Sequence, residues 1–188
     1  MPELTSRTTL RRVASLLLIA TIIIVVDVRV PSVDIVPDVA GGVLVLVAVM
    51  RLRSAVRGAD RELTWLLVLA VISLAVSVLE TFAPLTDLPA IVAISQPLGA
   101  LVLAGLVRRL LADPEPALAA RWRTTEQLIL WLGIVPLAVG VLLGSAAGDV
   151  QVETPLAIIV AIILAAPLVA LLLALWRTAQ APAAPVAS

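Results

Sequence analysis

Two acidic residues, Asp27 and Glu80, lie in the last turn of long apolar segments, where a carboxylate could bind a cation or relay protons. A helix C-terminus carries partial negative charge, so an acid at this position is not stabilised by its own helix. Another group must therefore stabilise both carboxylates. Arg29 could pair with either acid, and together these residues would form an acidic vestibule that binds or conducts a small solute or ion. In the alternative, both acids only extend to the outer surface.

Four further acids, Asp34, Asp38, Asp87 and Glu153, lie beside the starts of apolar segments. An Asp before a helix accepts hydrogen bonds from free backbone N–H groups, and an acid in the first turn interacts favourably with the helix dipole. A nearby proline suits the same first turn, as in "VDIVPD". The arrangement occurs at three segment starts, which favours a structural role. The four acids are predicted to cap helices, with the alternative that they line the same vestibule.

Gln96 is the strongly polar residue nearest the middle of an apolar segment, in the sequence "AISQPLGA". A polar side chain in lipid usually bonds to a neighbouring helix, and Pro97 removes one backbone hydrogen bond from its own helix. We expect Gln96 to join two helices. The functional alternative is that it lines a cavity at a kinked helix, since Pro136 and Pro167 interrupt two further segments.

Small residues repeat at helical spacing near the fifth apolar segment. Gly140, Gly144 and Gly148 recur every four residues, and Gly133 precedes the first of them by one heptad. Glycines at this spacing allow two helices to approach closely. The pattern predicts a packing face, directed at another helix of the chain or, alternatively, at a second copy.

The residue types that the chain lacks exclude many kinds of site. It contains no Cys, His or Lys. A thiolate or imidazole metal site, a Schiff base and a Ser-His-Asp triad are therefore impossible. No phosphate-binding loop is present, and the arginines are interspersed with acids. We predict that the chain is not an enzyme and uses no metal, no cofactor and no nucleic acid.

The elements that would position these residues are membrane-spanning helices. The chain is 62% hydrophobic and 14% charged, with a mean hydropathy of +1.16, whereas soluble domains are about 45 to 50% apolar and about a quarter charged. One spanning helix needs about 20 mostly apolar residues. Six such segments are predicted: Val13 to Arg29, Pro37 to Leu52, Leu63 to Phe82, Leu88 to Val107, Leu128 to Ala147 and Pro155 to Trp176.

The arginines indicate how these segments are oriented. Apart from Arg29, they all fall before the first segment, after the last, or from the end of segment two to the start of segment three and between segments four and five. By the positive-inside rule, both termini and the two Arg-rich loops are cytoplasmic. The tryptophans agree, because all four lie at or near this face: Trp65, Trp122, Trp131 and Trp176.

The resulting prediction is an all-α integral membrane protein of six transmembrane helices in three hairpins. Residues 1–12 form a cytoplasmic N-terminus, residues 13–177 the transmembrane domain, and residues 178–188 a disordered cytoplasmic tail. All 13 basic residues are Arg, a bias typical of GC-rich bacterial genomes. We therefore place the chain in a bacterial cytoplasmic membrane, with the lipid bilayer as its surroundings.

The stretch "VDIVPDVAGGVLVLVAVMRL" resembles a D-[IL]-[LIV]-P-D-x-x-G segment found in bacterial multi-pass membrane proteins without an assigned activity. The resemblance covers residues 33 to about 53. Position 42 carries Gly where that segment often has an aromatic residue. The resemblance implies a small bacterial membrane protein and adds no site residue.

Two functions fit these observations. In the first, the chain translocates or binds a small solute or ion through the outward-facing vestibule. In the second, it is a non-catalytic interaction or assembly subunit, whose acids only cap helices and whose glycine face packs helices or subunits. The second function would require a membrane partner protein or a homo-oligomer.

Overall fold

The computed structural model describes residues 3–4, 7–25, 36–82, 88–136 and 154–181, which form six long helices and one pair of short strands. The helices are α1 Arg7–Val25, α2 Val36–Ala55, α3 Asp60–Phe82, α4 Leu88–Leu111, α5 Pro116–Leu128 and α6 Thr154–Gln180. The strands β1 Glu3–Leu4 and β2 Val56–Arg57 pair in antiparallel register. The predicted α class is confirmed.

The fifth helix begins earlier than its apolar segment. It starts at Pro116, and a π-helical stretch, Ile129–Ile134, continues it to residue 136. The prediction started this helix at Leu128, because the preceding residues are polar on average. Pro116 suits a first helical turn. The ring of Pro136 would clash with the carbonyl group four residues earlier, and a widened turn relieves this clash.

The sixth helix also extends into the segment that is predicted from the sequence to be a disordered tail. It ends at Gln180, so it includes the first three residues of the predicted tail. The extension is helical because Thr178 is buried against α5 rather than exposed to solvent. At the other terminus, α1 already begins at Arg7, within the predicted N-terminal segment.

The six helices form a closed ring in chain order. Each helix packs against the next, and α6 returns to pack against α1. One end of the ring, here called the arginine end, contains the starts of α1, α3 and α5 and the last turns of α2, α4 and α6. The strand pair lies there too, since it joins the chain before α1 to the chain after α2.

Polar contacts at the arginine end link helices that are distant in sequence. The Arg11 Nε donates to the Ala179 carbonyl oxygen at 3.2 Å, which joins α1 to α6. Three ion pairs join other elements: Arg108 with Glu126 at 2.7 Å, Arg109 with Glu62 at 2.9 Å, and Arg7 with Glu115 at 3.5 Å. Pairs as exposed as these contribute about 1 kcal/mol or less each, so their main effect is to fix the helix ends.

The core fills the inside of the ring at the arginine end. Its fully buried side chains come from every helix, and the largest are Trp122, Leu52, Leu63, Leu106, Leu175, Val13 and Thr178. The void among the inward side chains measures about 10 Å³, roughly the smallest space that holds one water molecule. The ring is therefore closed at this end.

The outside of the ring is apolar. Large hydrophobic side chains such as Ile19, Val68 and Leu173 are exposed there. Within the part of the chain that the structure describes, Asp60–Leu79 is long and apolar enough to cross a membrane, with a mean hydropathy of 2.3. A shorter apolar stretch, Ala165–Gln180, lies in α6.

Two adjacent glycines allow α1 and α3 to approach α2 closely. A Cβ atom on Gly41 would overlap with Ile24 Cγ1 and would lie 3.2 Å from the Ala20 carbonyl oxygen of α1. A Cβ atom on Gly42 would lie 3.0 Å from Leu74 Cδ1 of α3. The helix pair α1 and α2 therefore packs backbone against backbone, as small residues allow in helix bundles.

The contact at Gly41 can be tested against another helical glycine, Gly99. A Cβ atom on Gly99 meets only Leu69 Cβ, at 3.9 Å, which is an ordinary contact. Replacing Gly by Ala inside a helix is favourable by about 1 kcal/mol when space permits, so Gly99→Ala should preserve or raise the Tm. Gly41→Ala must displace the Ile24 side chain and press on the Ala20 carbonyl oxygen of α1, and overpacking costs about 1–3 kcal/mol, so its Tm should fall below that of Gly99→Ala. Thermal unfolding of both variants in one detergent measures the difference, and equal Tm values would contradict the close approach.

Candidate functional site

The structure describes only part of the predicted site. Gln96 and Gly133 are described with their side-chain surroundings. Asp38 lies in the first turn of α2 and Glu80 near the end of α3, but their side chains are outside the described part. The other predicted positions lie outside the described residues altogether: Asp27, Arg29, Asp34, Asp87, Glu153, Gly140, Gly144 and Gly148. The convergence of these acids therefore stays a prediction.

Gln96 lies between two residues that contact the neighbouring helices. Ser95 Oγ is 2.8 Å from Ser73 Oγ of α3. On the opposite side, Pro97 Cβ would lie 3.9 Å from a Cβ atom on Gly133 of the α5 continuation. Successive residues of a helix point about 100° apart, so Gln96 faces neither neighbour. Within the described residues, the polar contact between α3 and α4 at this depth is made by Ser73 and Ser95 rather than by Gln96.

The position of Gln96 along α4 indicates that it faces the inside of the ring. Leu103 and Val107 line the small void at the arginine end. Gln96 precedes Leu103 by one heptad, and residues one heptad apart differ in direction by only about 20°. Leu103 is buried, whereas Gln96 is exposed. The inward face of α4 is thus apolar and buried at the arginine end, whereas Gln96, two turns further along the helix, is polar and exposed.

Two other helices show the same change along their inward faces. On α1, Leu10 and Leu17 line the void, and the partly exposed Thr21 follows one turn later. On α3, Leu63 and Ala70 are buried, and the partly exposed Ser77 follows one heptad later. Hydroxyl and amide side chains therefore replace leucines on the inward faces of α1, α3 and α4 away from the arginine end. The Thr21 and Ser77 hydroxyls donate to the Leu17 and Ser73 carbonyl oxygens of their own helices, so a ligand here would meet their acceptor oxygens and the Gln96 amide. Among the described residues, these inward faces supply no nucleophile with a partner base.

Trp122 closes the opposite end of this polar region. Its indole Nε1 donates to Thr178 Oγ1 at 3.0 Å, and Thr178 Oγ1 donates to the Ala174 carbonyl oxygen at 2.8 Å. Both side chains are buried, so the hydrogen bond satisfies an indole N–H that has no access to water. The predicted position of all four tryptophans at or near one membrane face stays a prediction. The structure distinguishes their surroundings, because Trp122 is a core residue while Trp65, Trp131 and Trp176 are exposed.

The burial of Trp122 has a signal in the sequence that average hydropathy conceals. Ala119, Trp122, Thr125 and Ile129 are all buried and recur at the three- and four-residue spacing of one helix face. The surrounding residues are polar and exposed, so the average over 116–128 is low. A search for helical periodicity would have found this face.

Neither a metal site nor a comparison with known proteins adds residues to the candidate site. The described part of the chain contains no group of three or more acidic residues that could hold a metal ion. No family model, no curated protein and no solved structure matches the chain. Its function is therefore inferred from the residues of this chain alone.

A comparison of two tryptophans tests the role of Trp122. Trp122→Phe removes the indole donor and leaves space beside Thr178, which should cost about 1–3 kcal/mol. For a chain of this size each kcal/mol lowers the Tm by about 2–4 °C. Trp131 is 63% exposed, so Trp131→Phe should change stability by less than about 0.5 kcal/mol. Thermal unfolding followed by circular dichroism gives both values, and similar losses in the two variants would contradict the assignment.

Proposed function

We propose that the chain is a bacterial inner-membrane protein whose six helices all span the bilayer, with both termini in the cytoplasm. The exposed apolar side chains on the outside of the ring support this setting, because soluble proteins rarely expose large contiguous apolar patches. The positive-inside rule makes the arginine end the cytoplasmic end. The polar half of the ring then opens to the outer side of the membrane.

The proposed activity is the binding and translocation of a small cation or proton through an outward-facing vestibule. The observation that carries it is the exposed Gln96, which lies on the inward face of α4 above a closed core. A ring packed along its whole length would leave no exposed polar residue on that face. In this reading, the chain adopts an outward-open state in which Trp122 belongs to the cytoplasmic barrier.

Two of the predicted acids lie in helical register with residues on the inward faces of α2 and α3. Asp38 precedes Leu52 of α2 by two heptads, and Leu52 lines the interior void. Glu80 follows Ser77 of α3 by three residues, which is close to one helical turn. Together with Asp27, these acids would give the vestibule a negative charge that favours cations.

The competing proposal is a non-catalytic assembly subunit. Its predicted contact surface was the glycine series that begins at Gly133. Gly133 packs near Pro97 of the same chain, so the described end of this series serves internal packing. The assembly proposal therefore depends on the apolar outer surface binding a partner protein rather than lipid.

Cysteine labelling tests whether Gln96 is reached by water. The chain has no Cys, so single-cysteine variants carry no background reaction. In lipid vesicles, Gln96→Cys should react with a charged maleimide, whereas Leu103→Cys should not, because Leu103 is buried in the closed core.

Ala75→Cys is the control for exposure to lipid. Ala75 is exposed and shares a helical stripe with the exposed residues Val68, Ile72 and Leu79 on the outside of the ring. It should therefore stay unreactive in vesicles and become reactive in denaturant. If Gln96→Cys behaves like Ala75→Cys, the vestibule is excluded.

Proton flux tests translocation directly. Vesicles that contain the purified protein and a trapped pH-sensitive dye should dissipate an imposed pH gradient faster than vesicles without protein, provided that potassium and valinomycin clamp the membrane potential. Glu80→Gln removes the carboxylate from the vestibule and should reduce the rate to that of empty vesicles. Asp113→Asn removes an exposed carboxylate near the arginine end and should keep the wild-type rate. Background rates in all three proteins would favour the assembly subunit.

A further inference from the structure

A groove opens on the outside of the ring between α2 and α3, close to the arginine end. It has a volume of about 430 Å³ and is lined by Met50, Arg53, Ser54 and Leu67. Met50 is 58% exposed, and Leu67 is partly buried against the core. The groove is separate from the ring interior, because Leu52 of the same helix lines the interior void.

The groove is apolar at depth and cationic at its mouth. Met50 lies about 4.5 Å further from the arginine end than Arg53, which is three residues later in α2. Leu67 lies about 10 Å along α3 from its start at Asp60. A phospholipid of the cytoplasmic leaflet has the same order of groups, with its phosphate at the membrane surface and its acyl chains directed to the bilayer centre.

No acid among the described residues pairs with the arginine of the groove. Arg7, Arg108 and Arg109 at this end pair with glutamates. Arg53 takes part in none of the ion pairs among the described residues, and the four lining residues include no acid. Arg51 and Arg57 are also exposed and lie within four residues of it. Basic pockets between helices on the cytoplasmic side bind anionic lipid headgroups.

Of the two polar residues that line the groove, Arg53 rather than Ser54 is the hydrogen-bond donor for a phosphate. The hydroxyl group of Ser54 donates to the Arg51 carbonyl oxygen at 2.8 Å, so its proton is already used. The Arg53 guanidinium is exposed and has several N–H donors in a geometry that fits a phosphate.

We propose that this groove binds one anionic phospholipid of the cytoplasmic leaflet. Its phosphate bonds to Arg53, and one acyl chain packs between Met50 and Leu67. The inference rests on the proposed membrane setting, but not on translocation.

Native mass spectrometry of the purified, delipidated protein tests the site. Phosphatidylglycerol should bind with one preferred copy, and phosphatidylethanolamine with the same acyl chains should bind several-fold more weakly. An arginine near the surface contributes about 1 kcal/mol to such binding, so Arg53→Gln should weaken phosphatidylglycerol binding about five-fold. Arg123→Gln is the matched control, because Arg123 is exposed on α5 outside the groove and its loss should change binding less than about two-fold.

A second variant tests the acyl chain. Met50→Trp adds bulk on an exposed wall and should fold normally, but it should weaken phosphatidylglycerol binding by narrowing the groove. Equal losses for Arg53→Gln and Arg123→Gln would show diffuse surface charge and overturn the proposal. Equal binding of the two lipids would overturn it too, and so would full competition by glycerol phosphate, which would show an anion site without a chain. Extraction of the protein without detergent would refute the membrane setting itself, whereas a failed proton-flux assay would leave this test intact.

Discussion

The ring of helices closes because α6 returns to α1, and the burial of Trp122 makes this closure tight. The indole hydrogen bond to Thr178 joins α5 to α6, and the Arg11 bond to the Ala179 carbonyl oxygen joins α6 to α1. Trp122 also borders the interior void together with leucines of α1, α2, α4 and α6: Leu10, Leu17, Leu52, Leu103 and Leu175. One large side chain thus fills the centre of the arginine end. A smaller residue there would leave a space that water could enter, and the separation between a closed end and an open end would be lost.

The same architecture explains why polar residues occur inside a chain of such high hydropathy. A helix in the ring has three kinds of face: one on the outside of the ring, two toward its neighbours, and one toward the interior. Gly41 and Gly42 serve the neighbour faces, where close approach matters, and Ser73 and Ser95 bond across such a face. Gln96 lies on the interior face. Its exposure therefore bears on how the inside of the ring is packed, which the exposure of a residue on the outside would not.

Average hydropathy predicted most of the helices, because a helix whose outer and neighbour-facing sides are both apolar is apolar on nearly every side. It predicted the starts of α2 and α4 to within one residue, helped by Pro37 and by the Asp87-Leu88-Pro89 sequence. It failed at α5, whose first turns are amphipathic, so that the buried stripe containing Trp122 is diluted by exposed polar residues. The interior face of Gln96 and the close contact at Gly41 depend on which helices are neighbours. No local pattern contains that information, so both required the three-dimensional arrangement.

For a translocating protein, the closed end determines where the barrier to inward opening lies. The ion pairs of Arg7, Arg108 and Arg109 are exposed and contribute about 1 kcal/mol or less each, so breaking them is inexpensive. Exposing a buried leucine to water costs about 1.5–3 kcal/mol, and several leucines surround Trp122. The apolar contacts around Trp122, rather than the charges at the surface, therefore hold the arginine end shut. Movement that separates them would be absorbed most easily at Pro97 and at the π-helical stretch Ile129–Ile134, where regular helical hydrogen bonding is already interrupted. Both lie where α4 meets the α5 continuation at Gly133, so a hinge at that contact could change the packing around Trp122 while the outer half of the ring keeps its arrangement.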